Sequence, residues 1–96
     1  MIEDRGLAVG DIVQHFKRET LGNPGNIYLY KILAFARHSE TGDMLVIYQA
    51  LYESMEMGVF YDVFARPYDM FMGKVDKEKY PDIQQEYRFE KHYFDM

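Results

Sequence analysis

Two β-rich runs, residues 29–37 and 44–52, joined by Glu40-Thr41-Gly42-Asp43, constrain this chain more than any other feature. Most residues from Ile27 to Arg37 are apolar or aromatic. Both faces of that strand are therefore expected to be at least partly buried, as in a small barrel or a covered central strand. The second run puts Val46, Tyr48, Ala50 and Tyr52 on one face and Leu45, Ile47, Gln49 and Leu51 on the other, with little alternation of polar and apolar. Gly42 supplies the positive φ that a short hairpin loop needs, so the two runs are read as an antiparallel hairpin.

The flanking sequence adds further short elements. Residues 9–16 carry apolar side chains at 9, 12, 13 and 16 after a Gly10-Asp11 turn signal and read as a first strand. Gly22-Asn23-Pro24-Gly25-Asn26 gathers turn formers, so residues 17–26 read as an exposed loop. A second loop is expected over residues 54–58, followed by a strand over 59–65 that Pro67 ends. Residues 67–71 read as a single helical or 3₁₀ turn, with Met70 and Phe71 plugging one end of the core. From Asp76 onward charged residues dominate, and residues 81–89 read as a short helix with a weak apolar stripe. The expectation is one mostly β domain over residues 1–96: a small barrel of about five strands, its core at about 9–75, and a charged segment 76–96 with a short C-terminal helix.

A chain of 96 residues buries only about 60 to 65% of its unfolded surface, so the nine Tyr and seven Phe must carry much of the core. With no Cys there are no disulfides, thiolate metal sites or thiol nucleophiles, which suits a reducing, cytoplasmic setting. Acidic residues outnumber basic ones 16 to 11 and both signs are dispersed, which disfavours nonspecific nucleic-acid binding. Arg37, Arg66, Lys31 and Lys17 are the residues from which folding would build a local basic patch. The first residues are acidic where a signal peptide is basic, and no apolar run approaches the roughly 20 residues of a membrane span, so a soluble protein is expected.

Candidate chemistry is sparse. Phe35-Ala36-Arg37-His38-Ser39-Glu40-Thr41 superficially resembles the Arg-His-Gly-Glu-Thr signature of histidine phosphatases. That signature belongs to a much longer α/β domain and has Gly where Ser39 stands, so the segment is read as the end of a strand opening a hairpin. His38 and Glu40, two residues apart, share a face if the strand continues, and would orient a general base or pin the loop. His15 is the second histidine considered, either meeting His38 at a metal or phosphate site or packing beside Phe16. Without His-Glu-x-x-His or a comparable ligand spacing, neither a metal nor a cofactor is expected. Ser39 and Ser54 lie in no Gly-x-Ser-x-Gly elbow. Arg66, held extended by Pro67, offers a guanidinium fork for a carboxylate or phosphate, or an internal ion pair with Asp69, Asp62 or Glu40. The tyrosines at 28, 30, 48, 52, 61 and 68 either line a groove or serve the core.

In order along the chain, His15-Phe16-Lys17, Tyr30-Lys31-Ile32-Leu33, Ala36-Arg37-His38-Ser39-Glu40-Thr41, Val46-Ile47-Tyr48-Gln49-Ala50-Leu51-Tyr52 and Arg66-Pro67-x-x-Met70-Phe71 resemble the bacterial family called domain of unknown function 1653. The resemblance covers roughly residues 12–90. It implies a compact barrel of Src-homology-3 type and brings no established activity. Its polar matches are His15, Lys17, His38, Glu40, Thr41, Tyr48, Tyr52 and Arg66.

The functional expectation is a noncatalytic binding or adaptor module for an anionic or extended ligand, a protein, a peptide or a small anion, with a site drawn from Arg66, Arg37, His38, Glu40, His15, Tyr48 and Tyr52. One alternative is a small hydrolase or phosphate-handling enzyme using His38 with Glu40 or His15. Another is a self-association module, pairing exposed strand edges as a homo-oligomer.

Overall fold

The computed structural model describes residues 5–54 and 59–93. Strands β1 (Ile12–His15), β2 (Leu29–Arg37), β3 (Met44–Ala50), β6 (Val63–Pro67) and β7 (Phe89–Lys91) form one antiparallel sheet in the order β6-β3-β2-β1-β7. A separate two-stranded ribbon pairs β4 (Glu53–Ser54) with β5 (Val59–Phe60). The loop expected over 54–58 falls, from residue 55 on, outside the described residues.

The expected hairpin is the centre of this sheet. His38 N–H donates to Asp43 O at 2.7 Å and Gly42 N–H to His38 O at 2.8 Å, with Gly42 at φ 79°. The unbroken apolar run of the first strand has a structural counterpart at Leu33, where the register of β2 against β3 shifts between Ile32 and Ala34. This bulge inserts one residue, so Ile32 and Phe35, three apart, both face the core opposite Tyr48 and Val46. Val13, Tyr30, Ile32, Val46, Tyr48 and Ala50 then form one buried face.

The expected closed barrel is not formed: the sheet is open, with β6 and β7 as its edges. The strand expected over 59–65 is broken, because Tyr61 takes φ 57° and directs the chain from the β4–β5 ribbon back onto β3. Gln49 Nε2 donates to Tyr61 O, and Ala50 N–H to Asp62 O, holding the break.

The helical turn expected at 67–71 is α1 (Tyr68–Met72), starting after Pro67 as a fixed φ favours. Its inward residues are Phe71 and Met72, whereas Met70 is half exposed. The helix expected at residues 81–89 does not form. Backbone groups there are satisfied by distant side chains instead: the Glu19 carboxylate accepts Gln84 N–H and Gln85 N–H at 2.8 and 2.7 Å, and Lys77 Nζ donates to Ile83 O and Gln85 O. Such anchoring releases the chain from helical geometry and delivers Phe89 to β7, beside His15. The core accordingly extends past residue 75, with Phe89 stacked on Phe71 at 4.2 Å and 7°. A second cluster packs Phe16, Val75 and Ile83 with Tyr80. Arg5 clamps both segments, donating to Phe89 O and Met72 O while its guanidinium sits 3.8 Å above the Tyr87 ring.

Candidate functional site

Every strand of the main sheet sends a side chain to one cleft of about 190 Å³, lined by His15, Lys17, Tyr28, Tyr30, Tyr48, Phe64, Arg66 and Phe89. Its position follows from the strand period. Phe64 and Arg66 are two apart on edge strand β6 and share the face of Tyr48 and Val46, while β1 and β7 bring His15 opposite Phe89. Tyr30, Tyr48 and Phe89 are buried and meet edge-to-face at 5.2 to 5.8 Å, which makes a rigid floor.

The polar groups are held in defined orientations. Tyr48 Oη accepts from Arg66 Nε at 3.1 Å, and the guanidinium lies 5.3 Å from the centre of the Phe89 ring. The Nη atoms of Arg66 have no acceptor among the described residues, and none of the ion pairs proposed with Asp69, Asp62 or Glu40 forms. His15 caps the 3₁₀ turn Phe16–Thr20, its Nδ1 accepting Lys17 N–H at 3.1 Å. In the neutral ring the proton therefore sits on Nε2. Burial first, then the positive charges of Arg66, Lys17 and Arg88, hold the His15 pKa down to about 4. Tyr30 Oη and Tyr52 Oη are 2.8 Å apart. Burial, reinforced by that bond, raises the Tyr30 pKa, and burial also raises that of Tyr48, partly opposed by Arg66.

Tyr28 reaches the mouth from an unusual backbone, φ 66°, a left-handed conformation costing roughly 1–2 kcal/mol for a residue with a Cβ. The turn after Asn26 enforces it, through Leu29 N–H to Asn26 O and His15 N–H to Tyr28 O, both 3.0 Å. Its ring then lies 5.6 Å from His15 and 6.2 Å from Tyr52.

Of the residues singled out from the sequence, the cleft brings together His15, Tyr48 and Arg66, with Tyr52 one hydrogen bond behind Tyr30. Arg37, His38 and Glu40 do not line it. They close the hairpin: Arg37 Nη1 donates to Gly42 O, and His38 Nδ1 accepts Glu40 N–H and Thr41 N–H at 3.1 and 3.3 Å. His38 thus engages the backbone of Glu40 rather than its carboxylate. His15 lies beside Tyr28, before the first residue of β2, and His38 follows the last; the nine residues between span roughly 30 Å at about 3.3 Å each. The two imidazoles share no site.

Phe64 and Phe89 were not among the candidates. Phe64 was legible from its position two before Arg66, whereas Phe89 carried no signal because its segment read as helix. No group of three or more His, Asp or Glu side chains is arranged to hold a metal among the described residues, and none of their helices is long and apolar enough to cross a membrane.

What fold and cleft define is a small antiparallel β protein with a cationic, aromatic-walled hollow on one sheet face. The chain matches the family described as "Protein of unknown function (DUF1653)" over residues 11–91, and it belongs to that family. No curated protein and no solved structure matches it.

Proposed function

We propose that this protein is a noncatalytic binding module that takes a small anion in the cleft beneath Arg66. One observation carries the reading: in a chain of net charge −5, Arg66, Lys17 and the His15 N–H converge on a hollow lined by no carboxylate. Arg66, oriented by Tyr48 and without an acidic partner among the described residues, keeps its Nη edge for an oxyanion. The cleft is smaller than the roughly 300 Å³ at which drug-sized sites begin, which favours a small ligand over a peptide. A larger hollow of about 510 Å³ among Leu7, Phe35, Met44 and Tyr68 has no charged lining residue and offers an anion nothing. Hydrolysis through His38 has little support, since its Nδ1 is taken up in the hairpin turn.

The test is thermal unfolding with phosphate, sulfate and small carboxylates. A bound anion at 100 times its dissociation constant adds about 2.7 kcal/mol, or roughly 10 °C or more for a domain of this size. The gain should vanish in Arg66→Gln. Melting that ignores every anion would sink the reading.

A second reading, self-association, is favoured by edge strand β6, where Val63 is 55% and Phe64 39% exposed. Light scattering over a dilution series tests it, and a constant monomer mass would exclude it.

A further inference from the structure

We propose that the anion is borne by a flat aromatic ring, a carboxylate or phosphate attached directly to that ring. The proposal rests on the small-anion reading and narrows it. Six of the eight lining residues carry rings, the other two are Arg66 and Lys17, and none is aliphatic. Ring faces hold negative charge, so they neither attract nor solvate a bare oxyanion, whereas they pair well with another ring.

Of the hydroxyls on the floor, those of Tyr30 and Tyr52 bond one another, while Tyr48 Oη accepts from Arg66 Nε and keeps its own proton to donate. The donors on offer to an oxyanion are those of Arg66, Lys17, His15 Nε2 and Tyr48, and any oxygens of inorganic phosphate beyond their reach press against ring carbon, losing water without compensation. A ring in place of those oxygens removes that cost. Phe64 is placed to receive it: the ring lies against Tyr48 at 5.5 Å and 28°, yet the residue remains 39% exposed at the mouth. Tyr28, whose backbone is left-handed, also lines the cleft, with its ring 5.6 Å from that of His15. A volume of about 190 Å³ leaves little space for a sugar between ring and charge.

The experiment is an amide-resolved NMR titration of the full chain at pH 7 with acetate, inorganic phosphate, benzoate, phenyl phosphate, benzamide and adenosine 5′-monophosphate. Benzoate or phenyl phosphate should move the resonances of lining residues and bind about tenfold or more tighter than its ring-free counterpart, the scale of one stacked ring. The tighter of the two identifies the oxyanion. Benzamide, lacking charge, and adenosine 5′-monophosphate, with its spacer, should bind more weakly. Phe64→Leu should keep anion binding and lose the preference for aryl anions, while Arg66→Gln loses both. Equal affinity for acetate and benzoate, tighter binding of adenosine 5′-monophosphate, or an undiminished aryl preference in Phe64→Leu would overturn the proposal and leave the small-anion reading intact. No binding by any anion, or benzamide equal to benzoate, would overturn both.

Discussion

Replacing Phe89 tests whether the C-terminal segment belongs to the core. The residue is 1% exposed and touches four rings, with centroids at 4.2 Å (Phe71), 5.0 Å (His15), 5.5 Å (Tyr48) and 5.8 Å (Tyr30). Truncating a buried Phe to Ala costs about 3–5 kcal/mol. Against that stands a total stability of roughly 5–14 kcal/mol for 96 residues at 0.05–0.15 kcal/mol each. Phe89→Ala should therefore remove about a fifth or more of the stability, and at the lower end of that range leave the chain partly unfolded. Phe89→Leu keeps most of the volume and gives up the aromatic pairing, a loss of roughly 1–2 kcal/mol. At about 4–8 °C per kcal/mol, its Tm should fall by roughly 4–16 °C. Differential scanning calorimetry measures both variants against Phe64→Ala, whose exposed ring should matter less. If both Phe89 variants melt within about 2 °C of the parent, β7 is not docked on β1 and the cleft lacks its floor.

Three further outcomes are expected. The folded state binds a proton at His15 only near pH 4, whereas the unfolded chain does so near 6.5; between them the unfolded state holds more protons, so stability falls as pH drops through this window and levels off below it. Urea midpoints measured from pH 7 to 4 should fall less steeply in His15→Gln, and an identical slope would refute the assignment. Tyr30 and Tyr48 should resist ionisation, so ultraviolet titration of the Tyr30→Phe and Tyr48→Phe variants against the parent should place the lost phenol above the usual range; stability then declines as pH rises past 10, because the unfolded chain ionises first. Gly42→Ala meets no atom within 4 Å, so its cost is the positive φ alone, about 1–2 kcal/mol; an unchanged Tm would deny the turn its left-handed residue.

The central hairpin was legible because its signals are local: two apolar runs and a glycine at the turn, each within a few residues of its partner. The same locality let Pro67 announce α1. Arg66 was legible as a recognition residue because the next residue restricts it, and Phe64 was within reach by strand alternation. Arg37, His38 and Glu40 misled for a related reason. Polar residues in a hairpin turn carry the same types as a catalytic constellation, but the turn backbone takes their hydrogen bonds.

Composition and pattern alone determined that this chain is mostly β, rich in aromatic packing, and built on one hairpin, because apolar runs and turn residues act over a few positions. Only the tertiary structure decided that the sheet stays open, that residues 81–88 forgo a helix, and that Phe89 meets His15. Those outcomes depend on contacts distant in sequence, such as the carboxylate of Glu19 on Gln84 and Gln85. The bulge at Leu33 and the left-handed Tyr28 and Tyr61 belong to the same class: each goes against a local preference, and packing across the sheet supplies the free energy that holds it.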